Sequence, residues 1–235
     1  MRTLALGTTE DRLVGGLDLE ATLVVGRPVL QPGLLSEVDG GVLYVDEVNL
    51  LDDHLVDLVI DACAGTVRVE REGLTASLSS RFVLVGTMNP EEGELRPQLL
   101  DRFGLCVTVG GEDSPDRRVE VIRRRLAFED DPVGFSRRWE QNGHEISEKI
   151  KRATELVKQV TIADETLTRV AHVCINAHVD GHRADIMMVR AARTLAAWDG
   201  RIEITADDLT QAARLVLPHR MRRHPLESVG GPEVA

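Results

Sequence analysis

The stretch "GGVLYVDEVNLLDD", residues 40–53, decides how the rest of the chain is read. A short apolar run, Val42-Leu43-Tyr44-Val45, follows the Gly40-Gly41 pair and ends on two adjacent carboxylates, Asp46 and Glu47. An apolar run of this length bounded by turn residues reads as a buried strand. Side chains at the carboxyl end of a strand in an α/β sheet project into the usual ligand crevice. An aspartate there holds Mg²⁺ through its waters, and the next carboxylate polarises an attacking water. The same pair also suits a solvated acidic turn ahead of a helix, because both carboxylates favour the helix N-terminus. Residues further along have to decide between the two.

Downstream of the pair, Leu51, Leu55, Leu58, Val59 and Ala62 recur at helical spacing, which predicts a helix from Leu50 to Ala64, ended by Gly65. "TVRVEREGLTASLSS" then alternates with period two on either side of Glu72-Gly73, a hairpin signal. A second apolar run, "RFVLVGT" at 81–87, predicts another buried strand, ended by Asn89-Pro90. A short helix is expected at 96–102, then a strand around Leu105 to Val109. Ser114 and Pro115 stand at the cap and first position of a further helix. Upstream of residue 40 lie a polar TTED segment, a short helical pattern from Asp18 to Val25, and the Pro/Gly-bounded "GRPVLQPGLL".

From about residue 132 the pattern is helix after helix. Leu167, Val170, Ala171 and Cys174 line one face, and Met188, Ala191, Ala192 and Leu195 another. Thr205 with Asp208 has the form of a capping box ahead of Leu209, Ala212, Ala213 and Val216, and Pro218 stops that helix. Two domains are therefore expected, with a boundary near Glu112 to Pro132. The strand-bearing core covers 1–112, a connecting helix and linker 113–131, a helical domain 132–227, and a loose tail 228–235.

The composition bounds the function classes. With 235 residues, 43% hydrophobic and 29% charged, the chain is globular, and with only 3% aromatic residues its core is aliphatic. A formal net charge of -11 argues against a general nucleic-acid binder, which needs a basic face. Of the 28 cationic side chains only Lys149, Lys151 and Lys158 are lysines. Cys63, Cys106 and Cys174 are far apart and form no C-x-x-C pair, which fits a reduced, cytoplasmic compartment and gives no zinc site. His54, His172 and His178 fall at helical positions without a second ligand at metal spacing and read as structural. No stretch approaches the ~20 apolar residues of a membrane span, and "MRTLALGTTEDR" turns polar too early for a signal peptide.

Three more side chains carry candidate chemistry. Asn89 sits just past the second buried run, where a neutral amide can orient water and touch a γ-phosphate; an ordinary Asn-Pro turn is the alternative. Arg102 ends the short helix that Arg96 begins, a place from which an arginine can reach beyond its own subunit to a phosphoryl group. The alternative there is a salt bridge with Asp101 or the Glu91, Glu92, Glu94 cluster. Arg183 falls in the first turn of a helix, unfavourable for a cation unless an anion is near; a bridge to Asp180 or Asp185 is the alternative. His182 beside it reads as a packing or capping residue.

Taken together, the block "GVLYVDEVNLLDDHLVDLVIDACAGTVRVEREGLTASLSSRFVLVGTMNPEEGELRPQLLDRFGL" resembles the AAA+ ATPase subunits of magnesium chelatase and its cobalt-chelatase relatives. "TTEDRLVGGLDLEATLVVGRPVLQPGLL" and "GHRADIMMVRAARTLAAWDGR" are similar to the same family, so the resemblance runs from about residue 3 to 227. It implies an α/β AAA+ P-loop core, a parallel sheet with helices and a hairpin insertion at 66–78, followed by an all-helical lid. It also implies that Asp46 and Glu47 are the Walker B pair, with Asp46 on the Mg²⁺ of Mg-ATP. Asn89 would be the sensor-1 residue, Arg102 the arginine finger for a neighbouring subunit, and Arg183 the sensor-2 arginine. The implied cofactors are ATP and Mg²⁺. The implied partners are a homo- or hetero-oligomeric ring, usually six-membered, and companion subunits that include the large tetrapyrrole-binding one.

The implied activity is ATP hydrolysis coupled to insertion of Mg or Co into a tetrapyrrole. A non-catalytic ring scaffold and a remodelling or helicase-type ATPase of the same branch are the alternatives. One family feature is not matched: the Walker A loop G-x-x-x-x-G-K-[ST], since none of the three lysines follows a glycine or precedes Ser/Thr. The expectation is a fragment of a complete subunit, in preference to a natural partial one, with a sheet short of strands, so that apolar surface on 41–45 and 81–87 is exposed without a partner.

Overall fold

A computed structural model describes residues 1–63, 65–71, 73–93, 95–179 and 181–221. The chain divides into two compact units, Met1–Arg102 and Phe103–Ala235. This division falls earlier than the boundary expected near Glu112.

The first unit begins with β1 (Arg2–Leu4), α1 (Glu10–Val14), β2 (Gly15–Leu17), α2 (Leu19–Val25), β3 (Leu30–Pro32) and α3 (Leu34–Glu37). It continues through β4 (Val42–Val45), α4 (Asp53–Ala62), β5 (Gly65–Arg71), β6 (Leu74–Ser80), β7 (Val83–Gly86) and α5 (Pro97–Leu100). A three-stranded parallel sheet in the order β1-β4-β7 organises it, with Val45 in register with Leu4 on one side and Gly86 on the other. Leu4, Leu43 and Val45 of the sheet, Leu13 and Leu35 of the flanking helices and Val56 of α4 are all buried, an aliphatic core as the composition demands. The hairpin β5–β6 pairs Gly65 through Arg71 with Ser80 through Leu74, and Gly73 takes the positive φ that its turn requires. Of the expected turn pair, Glu72 lies outside the described residues.

A short antiparallel ribbon, β2–β3, pairs Gly15 through Leu17 with Pro32 through Leu30. Gly33, the residue after β3, is there for space: a methyl group on it would overlap the backbone of Leu13, Val14 and Gly15.

Three local expectations change. The helix expected from Leu50 starts at Asp53, because Val48–Leu50 forms a 3₁₀ turn and Asp52 occupies the cap position. The run at 81–87 does form a parallel strand, but β7 is the last strand of the described sheet, paired only with β4. Val83 and Val85 are accordingly 61% and 42% exposed instead of buried, as the shortage of strands implies for this run, whereas Leu43 and Val45 of β4, paired on both sides, are buried and not exposed as expected. No strand forms at Leu105 to Val109; the segment is irregular and Leu105, Val107 and Val109 are exposed.

The second unit is all helical: α6 (Pro115–Asp130), α7 (Pro132–Leu156), α8 (Asp164–Asn176), α9 (Arg183–Trp198) and α10 (Ala206–Val216). Ser114 and Pro115 hold the cap and first positions of α6 as the sequence indicates. The α8–α10 core is Val170 and Cys174 against Ala184, Met188 and Ala192, with Leu209, Ala212 and Val216 closing it. Small alanines on the facing helices let the backbones approach closely. The Thr205–Asp208 capping box is formed in both directions. Asp208, only 1% exposed, also receives both terminal nitrogens of Arg201 at 2.7 Å. This fork geometry, with a cap donor on the remaining lone pairs, is what a buried carboxylate needs. No described helix is long and apolar enough to cross a membrane.

Candidate functional site

The carboxyl ends of β4 and β7 meet because the two strands run parallel side by side. Asp46 follows β4 directly, and Thr87 follows β7 in the adjacent position. The Thr87 hydroxyl donates to Asp46 Oδ1 at 2.6 Å and accepts the Glu47 backbone N–H at 3.0 Å. The single tyrosine of the chain, Tyr44, donates its phenol to the same Asp46 Oδ1 at 2.9 Å. The backbone continues the lock: Thr87 N–H reaches the Val45 carbonyl and Val48 N–H the Thr87 carbonyl. Sequence reading missed Thr87. The only signal for it is its place as the first polar residue after the Val-Leu-Val-Gly run.

The Thr87 hydroxyl first, and the Tyr44 phenol second, hold the Asp46 carboxyl below the usual aspartate range. Asp46 is therefore a fixed anion whose two donors leave Oδ2 uncommitted among the described residues. Glu47 adopts the left-handed conformation, φ 53° and ψ 53°. A non-glycine residue occupies that region at a cost of roughly 1 kcal/mol or more and keeps it only when its surroundings impose it. Here the Thr87 contacts to Glu47 and Val48 impose it. Strain of this kind clusters at functional sites.

Asn89 lies two residues beyond Thr87 and is exposed. Its Oδ1 accepts the Glu91 N–H at 3.1 Å, capping the 3₁₀ turn Pro90–Glu92. The turn anticipated from Asn-Pro is thus real, and it leaves the Nδ2 amide as the group that can meet a ligand. Asn49 donates its Nδ2 to the Gly93 carbonyl at 3.1 Å, tying the loop after β7 to the turn after β4.

Arg102 is ion-paired within its own unit, with partners other than those expected. Its partners are two aspartates of α4: Nη1 donates to Asp57 Oδ1 at 2.5 Å and Nη2 to Asp61 Oδ1, while Glu94 of the expected cluster lies outside the described residues. Arg96 pairs with Asp53 on the same helix. Arg183 opens α9 in the second unit and is exposed. Of its expected partners, Asp180 lies outside the described residues, and Asp185 approaches His182 Nδ1 at 3.9 Å. His182 occupies the cap position but gives no side-chain cap, and its side chain is solvent-exposed. The first unit therefore brings Asp46, Glu47, Thr87 and Asn89 together at one end of the sheet. Arg102 is held on α4, and Arg183 belongs to the other unit.

An ionised aspartate, a hydroxyl and a second carboxylate are hard oxygen donors. They suit Mg²⁺, which keeps most of its waters and takes one or two protein oxygens plus substrate phosphates. Among the described residues no group of three or more His, Cys, Asp and Glu side chains converges, so nothing there resembles an all-protein metal cage. The donor set fits the metal of a bound nucleotide.

Comparison with known proteins agrees with this geometry. Residues 19–111 match the family model for magnesium chelatase, subunit ChlI, and residues 167–234 match the AAA lid domain. Over 233 residues the chain is 48% identical to the magnesium-chelatase 38 kDa subunit of Acidiphilium rubrum, covering 98% of this chain and 68% of that one. The chain belongs to the magnesium-chelatase ChlI family. It is also 49% identical over 225 residues to the ChlI homolog of Methanocaldococcus jannaschii, covering 95% of this chain and 62% of the relative. The chain thus spans just under two thirds of that relative's length. A solved structure from Cytophaga hutchinsonii, described as a candidate ATPase, superposes with a TM-score of 0.64 at 16% identity. It covers 94% of this chain and 68% of that one, and the likeness is one of fold. The α/β AAA+ architecture with a helical lid follows from these matches.

Proposed function

We propose that the chain works as an ATP-hydrolysing motor subunit, or a portion of one, in a metal chelatase that inserts Mg or Co into a tetrapyrrole. The observation that supports this most directly is the Thr87 hydroxyl bridging Asp46 and Glu47 at the shared end of β4 and β7. Asp46, kept ionised by two hydroxyl donors, would hold the Mg²⁺ of Mg-ATP through water. Glu47, held by Thr87 in a strained turn, would take the proton of the attacking water. The Asn89 amide would orient that water. Arg102 would answer phosphoryl charge on a neighbouring subunit, and Arg183 the same charge from the lid. When bound, Mg²⁺ neutralises charge on the β- and γ-phosphates. The proposed partners are further AAA+ subunits in a ring and the companion chelatase subunits, with the cytoplasm as the setting.

The experiment is steady-state ATP hydrolysis by the purified chain, alone and mixed with the A. rubrum 38 kDa subunit. Loss of a general base costs about 10²–10⁴ in rate, so Glu47→Gln is expected to remove the chain's own contribution while nucleotide binding persists. A rate indifferent to both Glu47→Gln and Arg102→Ala would sink the reading. The in-chain pairing of Arg102 favours a second reading, a non-catalytic ring scaffold. Co-assembly with the relative, without any change in its turnover, would select that one.

A further inference from the structure

Asp53, Asp57 and Asp61 recur at every fourth residue of α4, a spacing that stacks side chains on one helix face. The row holds both arginines that bracket α5. Asp53 takes Arg96, and Asp57 with Asp61 take Arg102. Four residues of helix rise about 6 Å, a span that the two terminal nitrogens of one guanidinium bridge when each donates to its own carboxylate. The cation is thereby over-compensated: one guanidinium faces two carboxylates, leaving the trio with a net negative charge. The Arg102 side chain is 27% exposed, against 49% and 66% for the two carboxylates. The trio therefore lies at the surface, where individual ion pairs are weak and exchange readily.

We propose that Asp57 and Asp61 are positioning residues that park Arg102 against its own α4. The guanidinium then becomes available to a phosphate on a neighbouring subunit only when that anion displaces both carboxylates. The inference rests on the reading of Arg102 as the residue offered in trans. A parked, over-compensated arginine presents no positive field to an approaching phosphate. A released one does. With pairs of this strength about a fifth of chains hold a free Arg102 at any moment, and the apparent affinity of a neighbour for it falls by that fraction. Asp53 is the internal control, because it sits on the same face yet serves Arg96.

The test has two readouts on the full chain. The first is hindered rotation of the Arg102 guanidinium, followed by ¹⁵N NMR. The second is the chain concentration giving half-maximal stimulation of ATP hydrolysis by the A. rubrum 38 kDa subunit. In the wild type, rotation is slow and quickens as salt is raised. Asp57→Asn/Asp61→Asn is expected to free the rotation and to lower the half-maximal concentration roughly fivefold, while Asp53→Asn changes neither. The salt titration of the wild type reads the same contact should the double variant fold poorly. Stimulation that Arg102→Ala removes, but that the double variant leaves unchanged or weakens, overturns the parking role alone. Stimulation indifferent to Arg102→Ala overturns the in-trans reading and the parking role with it.

Discussion

Thr87 is the residue on which the geometry of the site turns. Its hydroxyl donates to Asp46 and accepts from the Glu47 backbone, so one side chain sets both the charge and the placement of the carboxylate pair. Thr87→Val keeps the volume and removes both bonds, and is expected to lower ATP turnover by at least about tenfold. The pH dependence moves in a defined direction. Asp46 is held below its ordinary value in the folded chain, so it stays ionised as pH falls until that lower value is passed. Losing the Thr87 donor raises that value, so the acid limb of Mg²⁺-dependent turnover shifts to higher pH in Thr87→Val. A pH–rate profile of the two proteins checks this. Asp46 and Glu47 were legible in the sequence because a strand followed by two carboxylates is a local pattern. Thr87 was not, because its role comes from register with a strand 41 positions away. The partners of Arg102 were hidden for the same reason: acids nearer in sequence were plausible, and the observed ones lie 45 and 41 positions back.

At the scale of elements, what local chemistry dictates was readable. The hairpin, the α6 start at Pro115 and the Thr205–Asp208 capping box all follow from adjacent residues. The exposure of β7 was readable only through the shortage of strands that the unmatched Walker A loop implies, and the missing strand at 105–109 was not readable, since an apolar run looks the same whether or not a neighbour covers it. Two variants test the elements. Gly33→Ala pushes a methyl group into the backbone of α1 and β2, and is expected to cost about 2 kcal/mol or more in thermal or urea unfolding of the first unit. Asp208→Ala removes the Asp208 half of the α10 capping box and leaves Arg201 with only the exposed Asp199 carboxylate as an ionic partner, with an expected cost of about 2 kcal/mol in the second unit. The Arg201 guanidinium, chiefly, holds the Asp208 carboxyl down at about 2, from an ordinary value of 3.8. A depressed carboxylate contributes stability that is present above its unfolded value and lost as pH falls through the folded one. Acid unfolding of the wild type should therefore show a loss between about pH 4 and pH 2 that Asp208→Asn lacks.

For the whole molecule, charge and division go together. The chain carries 39 acidic against 28 basic side chains, and all three of its lysines lie in the helical unit. In the proposed function the β4–β7 end of the first unit would supply the carboxylates for a metal and a water. The cations proposed to answer phosphate charge are arginines, one ion-paired on α4 and one opening α9 of the second unit. The proposed cooperation between copies in a ring would draw on this distribution, and ATP turnover measures it. The most direct measurement is steady-state ATP hydrolysis by the chain assembled with the A. rubrum 38 kDa subunit, comparing wild type with Glu47→Gln at saturating Mg-ATP. The account predicts that the chain's contribution falls about a hundredfold or more with nucleotide still bound. A contribution that survives Glu47→Gln undiminished would contradict it.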